Sequence, residues 1–229
     1  MTNNKTSDTA EEEMIVERIY QTIIDQRLAP GTKLAESELC EAFGVGRMRV
    51  RRALLMLANR ELVVLHANKG AFVASPTAKQ AHDVFETRLA IEPSLIRLAV
   101  QRATAKDIDG LEQHLQQESD AHHAGDRRKA ITLSGQFHIS LAKIADNAVM
   151  LRLVKDLVTQ SSLIIAMFGS VGMSNCRDDE HARIIQAIRQ GDEDLAVSLM
   201  REHIHHIKAN INLDHRQEGT PDLASIFSS

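Results

Sequence analysis

Four ionisable side chains fall where the helical repeat calls for apolar ones. The inward series Ala81, Val84/Phe85, Ile91, Leu95 is interrupted by Arg88. In the same way, His138 interrupts Ile131, Leu141/Ala142 and Ala145, and His181 sits on the seam of Ile184/Ile185 and Ile188. His203 lies on the seam of Ala196, Leu199/Met200, Ile207 and Ile211. Burying an unpaired imidazole or guanidinium costs several kcal/mol, so each of the four needs a partner. For any single histidine, a hydrogen-bonded core residue is the commoner outcome. Three neutral imidazoles converging from separate helices are what a zinc, nickel or manganese site requires. Neither an HExxH nor a CxxC motif is present to reinforce it. His205, His206, His122 and His123 lie beside seams or near a loop and read as solvated or partly buried polar residues.

A second chemistry lies nearer the N-terminus, in "GVGRMRVRRALLMLANRELV" (44–63). Arg47, Arg49, Arg51, Arg52 and Arg60 gather there, although the whole chain carries a formal net charge of −4. On a helix that buries Val50, Ala53, Leu54 and Leu57, Arg47, Met48, Arg51 and Arg52 spread over the outer surface, with Arg49 on the other shoulder. No acid stands four residues away along that helix to neutralise them. Arginine suits both guanine edges and phosphates, so the stretch reads as a recognition helix for double-stranded DNA.

The elements that must carry these residues follow from periodicity and punctuation. Residues 1–10 are polar and read as a disordered tail. Residues 11–75 give a helix ending before Pro30-Gly31, a short helix over 36–43, a turn at Gly44 and Gly46, the arginine helix, and a hairpin "LVVL"/"AFVA" around "HANKG". That order is a winged helix-turn-helix. From Pro76 to 213 the period is helical throughout, with breaks near Thr104–Ala105, Gly125, Asp146–Asn147, Gly169–Gly172 and Gly191, giving about six helices in an antiparallel bundle. Residues 214–229 lose the period and read as a tail. The expected fold is thus mainly α, in two domains.

"GTKLAESELCEAFGVGRMRVRRALLMLANRELVVLHANKGAFV" (31–73) resembles the DNA-binding domain of the GntR family of bacterial transcription regulators. That family's recognition helix usually opens Ser-Arg-Thr-Pro-Val-Arg-Glu-Ala-Leu. Here Arg47 and Arg51 keep the two arginines, while Gly46, Met48, Arg49 and Arg52 replace Ser, Thr, Pro and Glu. The resemblance implies DNA contact by Ser37, Arg47, Met48, Arg49, Arg51 and Arg52, and by Lys69 and Gly70 at the wing tip. The two added cations and lost anion imply stronger non-specific affinity and an operator unlike the family's usual one.

"VFETRLAIEPSLIRLAV" (84–100), "QFHISLAKIADN" (136–147), "DDEHARIIQAIRQGDEDLA" (178–196) and "MREHI" (200–204) resemble the FCD effector domain of GntR regulators. The resemblance implies a divalent metal on His138, His181 and His203 and an effector-facing arginine at Arg88, while Glu92, one helical turn from Arg88, reads as its partner. Ser134 stands where the family usually has an acidic or amide ligand. A hydroxyl is a poor ligand, so water or effector would complete the sphere.

Composition bounds the alternatives. Aromatic residues are 3% of the chain and Trp is absent, which favours aliphatic helical cores. Cys40 and Cys176 form no spaced motif and read as reduced thiols. No apolar run approaches the roughly 18 residues of a membrane span, and the N-terminus lacks a signal-peptide core, so a cytoplasmic protein is expected. The residues leave two functions open. One is a homodimeric regulator, a repressor on a palindromic operator, responsive to a small organic or sugar acid. The other is a hydrolase or lyase using a three-His metal. No carboxylate is evident on the histidine seams to act as general base, which favours the regulator.

Overall fold

The computed structural model describes residues 3–25, 27–169, 179–212 and 223–227. The chain forms two compact units, one of Met1–Ser75 with His215–Ser229 and one of Pro76–Asp214.

In the first unit, α1 (Asn3–Ile24) is followed by β1 (Lys33–Leu34), α2 (Glu36–Phe43), α3 (Arg47–Asn59), β2 (Val63–His66) and β3 (Gly70–Val73). Ile15, Ile19 and Ile23 from α1 and Val50, Leu54 and Leu57 from α3 are all buried. Fully burying such a side chain is worth about 1.5–3 kcal/mol. Gly44 ends α2 at φ 65°, a left-handed cap that costs glycine little and turns the chain into α3. Gly46 begins α3 with no side-chain cap. The wing is a three-stranded antiparallel sheet in the order β1-β3-β2, with Leu65 opposite Ala71 and His66 opposite Gly70. The two-residue β1 was too short to leave an alternating pattern in the sequence.

Two expectations fail at the ends of the chain. The helix α1 begins at Asn3, inside the stretch expected to be a disordered tail. Within the expected C-terminal tail, α10 (Leu223–Phe227) folds back into the first unit, burying Leu223 and Phe227.

The second unit contains α4 (Ala78–Arg102), α5 (Ala105–His123), α6 (Arg127–Ile144), α7 (Ala148–Phe168), α8 (Glu180–Gln190) and α9 (Glu193–Ala209). Their starts are set by polar caps. Thr77 with Gln80 and Thr104 with Asp107 form capping boxes, while Asp126, Asn147 and Asp192 accept from first-turn amides. At the α6–α7 crossing, a Cβ on Gly135 would lie 2.9 Å from Val158 Cγ1 and 3.1 Å from Ser162 Oγ. Glycine therefore lets these helices approach closely, one turn from His138.

Candidate metal centre and nucleic-acid interface

The bundle brings all four polar interruptions into its core: Arg88, His138 and His181 are 2% exposed and His203 is 0%. His138 comes from α6, His181 from α8 and His203 from α9, and their Nε2 atoms converge. His203 Nε2 is 3.1 Å from His138 Nε2 and 3.2 Å from His181 Nε2. The opposite nitrogen of each ring reaches a carboxylate. His138 Nδ1 donates to Glu92 Oε2 at 2.6 Å, His181 Nδ1 to Glu118 Oε2 at 2.8 Å and His203 Nδ1 to Glu180 Oε2 at 2.8 Å. An ionised carboxylate can only accept, so the proton of each neutral ring is on Nδ1 and its Nε2 presents a lone pair.

Lone pairs this close repel unless something positive lies among them. A ring proton is a poor candidate. Burial, only partly opposed by Glu92, pulls His138 down to about 4. Burial and the neighbouring His181 and His138 hold His203 well below its ordinary value. His138 and His203 are thus held in the deprotonated state that ligation needs, and with His181 they could hold a divalent cation. The carboxylates behind them fix ring orientation and raise ligand basicity.

Arg88 and Glu92 share a face of α4, one turn apart. Arg88 Nε donates to Glu92 Oε1 at 2.5 Å and Nη1 donates to Ser161 Oγ at 3.0 Å. Glu92 is thereby bound by both Arg88 and His138. Burial alone would raise its pKa, but the Arg88 and His138 charges and hydrogen bonds outweigh it, and the carboxyl lies at about 2. The remaining guanidinium nitrogen, Nη2, is buried without a hydrogen-bond partner among the described residues. Leaving a buried donor of a charged group unmade costs about 1–3 kcal/mol or more. An anion placed against Nη2 would recover it. Ser134 lies half-buried on α6, one turn before His138.

Carboxylates nevertheless reach the rings from outside the histidine seams: Glu92 from α4, Glu118 from α5 and Glu180 from the start of α8. Of these, only Glu92 is expected from the sequence. Glu118 lies on the buried stripe of α5 with Leu111 and Ala121, so the spacing test that exposed the histidines would have found it. Glu180 starts α8 and precedes His181 directly, a position with no seam to interrupt. Of the other histidines, His205 and His123 are exposed, while His206 Nδ1 lies 2.9 Å from Glu180 Oε1 and His122 Nε2 lies 4.0 Å from Glu118 Oε1.

In the first unit, α3 exposes Arg47, Met48, Arg51 and Arg52, and leaves Arg49 half-buried. Ser37, Lys69 and Gly70 are exposed as well. The arginines are not unneutralised, however. Arg51 Nε meets both oxygens of Glu36 at 2.9 Å, Arg49 meets Glu11 at 2.8 Å and Arg52 meets Glu12 at 3.0 Å. These acids come from α1 and α2, which a search along the arginine helix itself does not reach. Arg47 has no ion-pair partner among the described residues.

This organisation coincides with two family profiles. Residues 11–73 match the bacterial regulatory proteins of the gntR family, and residues 83–206 match the FCD domain. The chain belongs to the GntR family. It is a DNA-binding transcription regulator of the FCD type and not an enzyme. This GntR regulator is 27% identical over 194 residues to the HTH-type transcriptional repressor RspR of Escherichia coli, covering 84% of this chain and 85% of that one. It is 28% identical over 219 residues to the HTH-type transcriptional repressor NanR of an Enterobacter species, covering 86% and 84%. Its fold is similar to that of Escherichia coli McbR/YncC, with a TM-score of 0.72 at 18% identity over 85% and 93% of the two chains. Among the described residues, no helix is long and apolar enough to cross a membrane.

Proposed function

We propose that this GntR regulator is a metal-dependent sensor of a small organic or sugar acid, and that occupation of the bundle alters its grip on DNA. The observation that carries this reading is the convergence of three Nε2 atoms, each ring backed by a carboxylate, with one of those carboxylates, Glu92, also holding a buried guanidinium that has one unmade bond among the described residues. A zinc, nickel or manganese ion would be held by His138, His181 and His203, and would supply a Lewis-acid centre for an oxygen ligand. Arg88 would bind and orient the same anion through Nη2, while Glu92 and Ser161 hold the guanidinium in place. Ser134 borders the site as a neutral group. The low-dielectric wall favours a compact anion over an uncharged molecule or a long acyl chain.

On the DNA side, Arg47, Met48, Arg49, Arg51 and Arg52 would face the major groove, with Ser37 on α2 and Lys69-Gly70 on the wing beside them. Two copies of the chain would read a palindrome, and repression is the mode suggested by the names of RspR and NanR. To change DNA affinity tenfold, the effector must favour one state by about 1.4 kcal/mol.

The test is a thermal-shift screen of small carboxylates with metal-loaded and metal-stripped protein, repeated with Arg88→Ala. Stabilisation should require both the metal and Arg88. A best ligand that is uncharged, or that works equally without either, overturns the reading.

A further inference from the structure

The segment α10 lies outside both family profiles, which end at residues 73 and 206. It is nevertheless bound into the DNA-binding unit by several independent contacts. Leu223 and Phe227, one helical turn apart, are 2% and 3% exposed. The Phe227 ring lies 5.0 Å from that of Phe43, the last residue of α2. Arg18 of α1 places its guanidinium 5.4 Å from the Phe43 ring centre and donates from Nη2 to the Phe227 carbonyl at 3.1 Å. Arg27, just after α1, donates to the Ile226 carbonyl at 2.8 Å.

Each contact answers a need of a short helix. Five residues cannot sustain a helix by their own hydrogen bonds, since nucleation fixes several dihedrals for one bond gained. The last carbonyls of any helix lack internal partners, and cations are favoured there. Arg18 and Arg27 supply both the donors and the charge, while Leu223 and Phe227 are buried and the Phe227 ring meets Phe43 of α2. The segment has the form of a bound peptide that happens to be covalently attached.

We propose that the groove between α1 and α2 is a docking site for the chain's own C-terminal segment, Leu223–Phe227, and that docking clamps α1 to α2. The consequence reaches the recognition helix, because α1 also carries Glu11 and Glu12, the partners of Arg49 and Arg52. Docking thus holds the helix that sets where two of the DNA-facing arginines rest. It also returns the chain to the first unit after α9, the helix of His203, which belongs to the second. A change of state in the bundle therefore has a covalent route to α1 and α2 that bypasses the Ser75–Pro76 junction. Docking itself requires no metal and no effector, so it stands apart from the sensor reading.

The experiment is amide hydrogen exchange on the full chain, compared with Phe227→Asp, with Arg18→Ala/Arg27→Ala and with a chain stopped after Asn212. Each change should speed exchange in α2 and the C-terminal half of α1 by about tenfold or more, while α4–α9 stay protected. A synthetic peptide of residues 213–229 should restore protection to the stopped chain, and the same peptide with Phe227→Asp should not. Should the stopped chain fail to fold, the two full-length variants carry the comparison. Unchanged exchange in α2 for all variants, or no effect of the peptide, overturns the proposal. Protection that rises with protein concentration would mean that a second copy supplies the segment, and overturns docking within one chain.

Discussion

His138 and His203 hold their Nε2 atoms 3.1 Å apart while Glu92 and Glu180 fix the protons on the far side of each ring. Two acceptors at hydrogen-bond distance with no hydrogen between them store repulsion that a cation relieves. Protein purified without a histidine tag should contain close to one divalent ion per chain by elemental analysis. His138→Ala, His181→Ala or His203→Ala should each bring that below about a tenth of an equivalent, because two imidazoles hold such an ion weakly. Loading to a hundred times the dissociation constant should stabilise the wild type by about 2.7 kcal/mol. A metal content that survives all three substitutions would place the ion elsewhere.

The carboxylates behind the rings make a separate prediction. Glu118→Gln and Glu180→Gln preserve shape but remove the charge that orients His181 and His203. Metal affinity should fall about 10- to 100-fold in each, measured by competition with a chelating dye. Glu92→Gln should cost more than either, since it also leaves the Arg88 guanidinium without its counter-charge. Equal affinity in all three variants would reduce the carboxylates to bystanders.

Acid should act on the same centre in a predictable direction. The folded chain holds His138 at about 4 against an ordinary 6.5, and His203 is also lowered. Within that window the unfolded chain takes up protons that the folded one refuses, so stability falls as pH drops from about 6.5 towards 4. Glu92, lowered from 4.5 to about 2, adds stability that is present above 4.5 and is lost only in stronger acid. Metal-stripped protein should therefore keep a level melting temperature above about pH 7 and lose it steadily below about 6.5. A melting temperature unchanged between about pH 7 and 5 would show that the rings accept protons without cost.

The sites became legible in the sequence to unequal degrees, for physical reasons. A buried polar residue betrays itself by breaking an apolar repeat, and Arg88, His138, His181 and His203 each did so. What such a break cannot give is the partner. Glu180 lies at a helix start, where no repeat exists to be broken. Glu11, Glu12 and Glu36 meet their arginines only once α1 and α2 pack beside α3. The order of the winged unit was readable because Gly44, Gly46 and the wing glycine punctuate it. By contrast, Leu223 and Phe227 form a single apolar pair, too short to register as a helix until Phe43 is beside it.

The ion pairs on α3 change what DNA-binding variants should do. Arg47 is free to reach a base or phosphate, so Arg47→Ala should weaken specific binding by about 1–3 kcal/mol if it reads a base edge. Arg51 must first leave Glu36, so Glu36→Gln should raise affinity for arbitrary duplex DNA and steepen its salt dependence. Lys69→Ala should weaken all sequences alike. These are read by fluorescence anisotropy across a salt series, with light scattering on the same samples to check for a dimer. If Glu36→Gln binds like the wild type at every salt concentration, that ion pair plays no part in tuning DNA affinity.

Ser134 offers the last test, and it concerns how metal and anion depend on one another. Three neutral imidazoles cancel none of a divalent ion's charge, and a serine hydroxyl one turn from His138 adds no anion. An incoming carboxylate would then be the first negative group to touch the metal, and would gain more from it than in a site with its own acidic ligand. By linkage the metal gains equally, so each should bind more tightly in the presence of the other. Ser134→Asp supplies that charge permanently. Metal affinity should rise, because an anionic oxygen is a better ligand for these ions than a hydroxyl. The added carboxylate should also repel the effector and shrink the mutual enhancement. Titrating zinc with and without the best carboxylate from the thermal screen, in both proteins, measures all four affinities. Should Ser134→Asp leave zinc affinity and the enhancement unaltered, position 134 lies outside the metal's reach and the neutral-sphere account of the coupling fails.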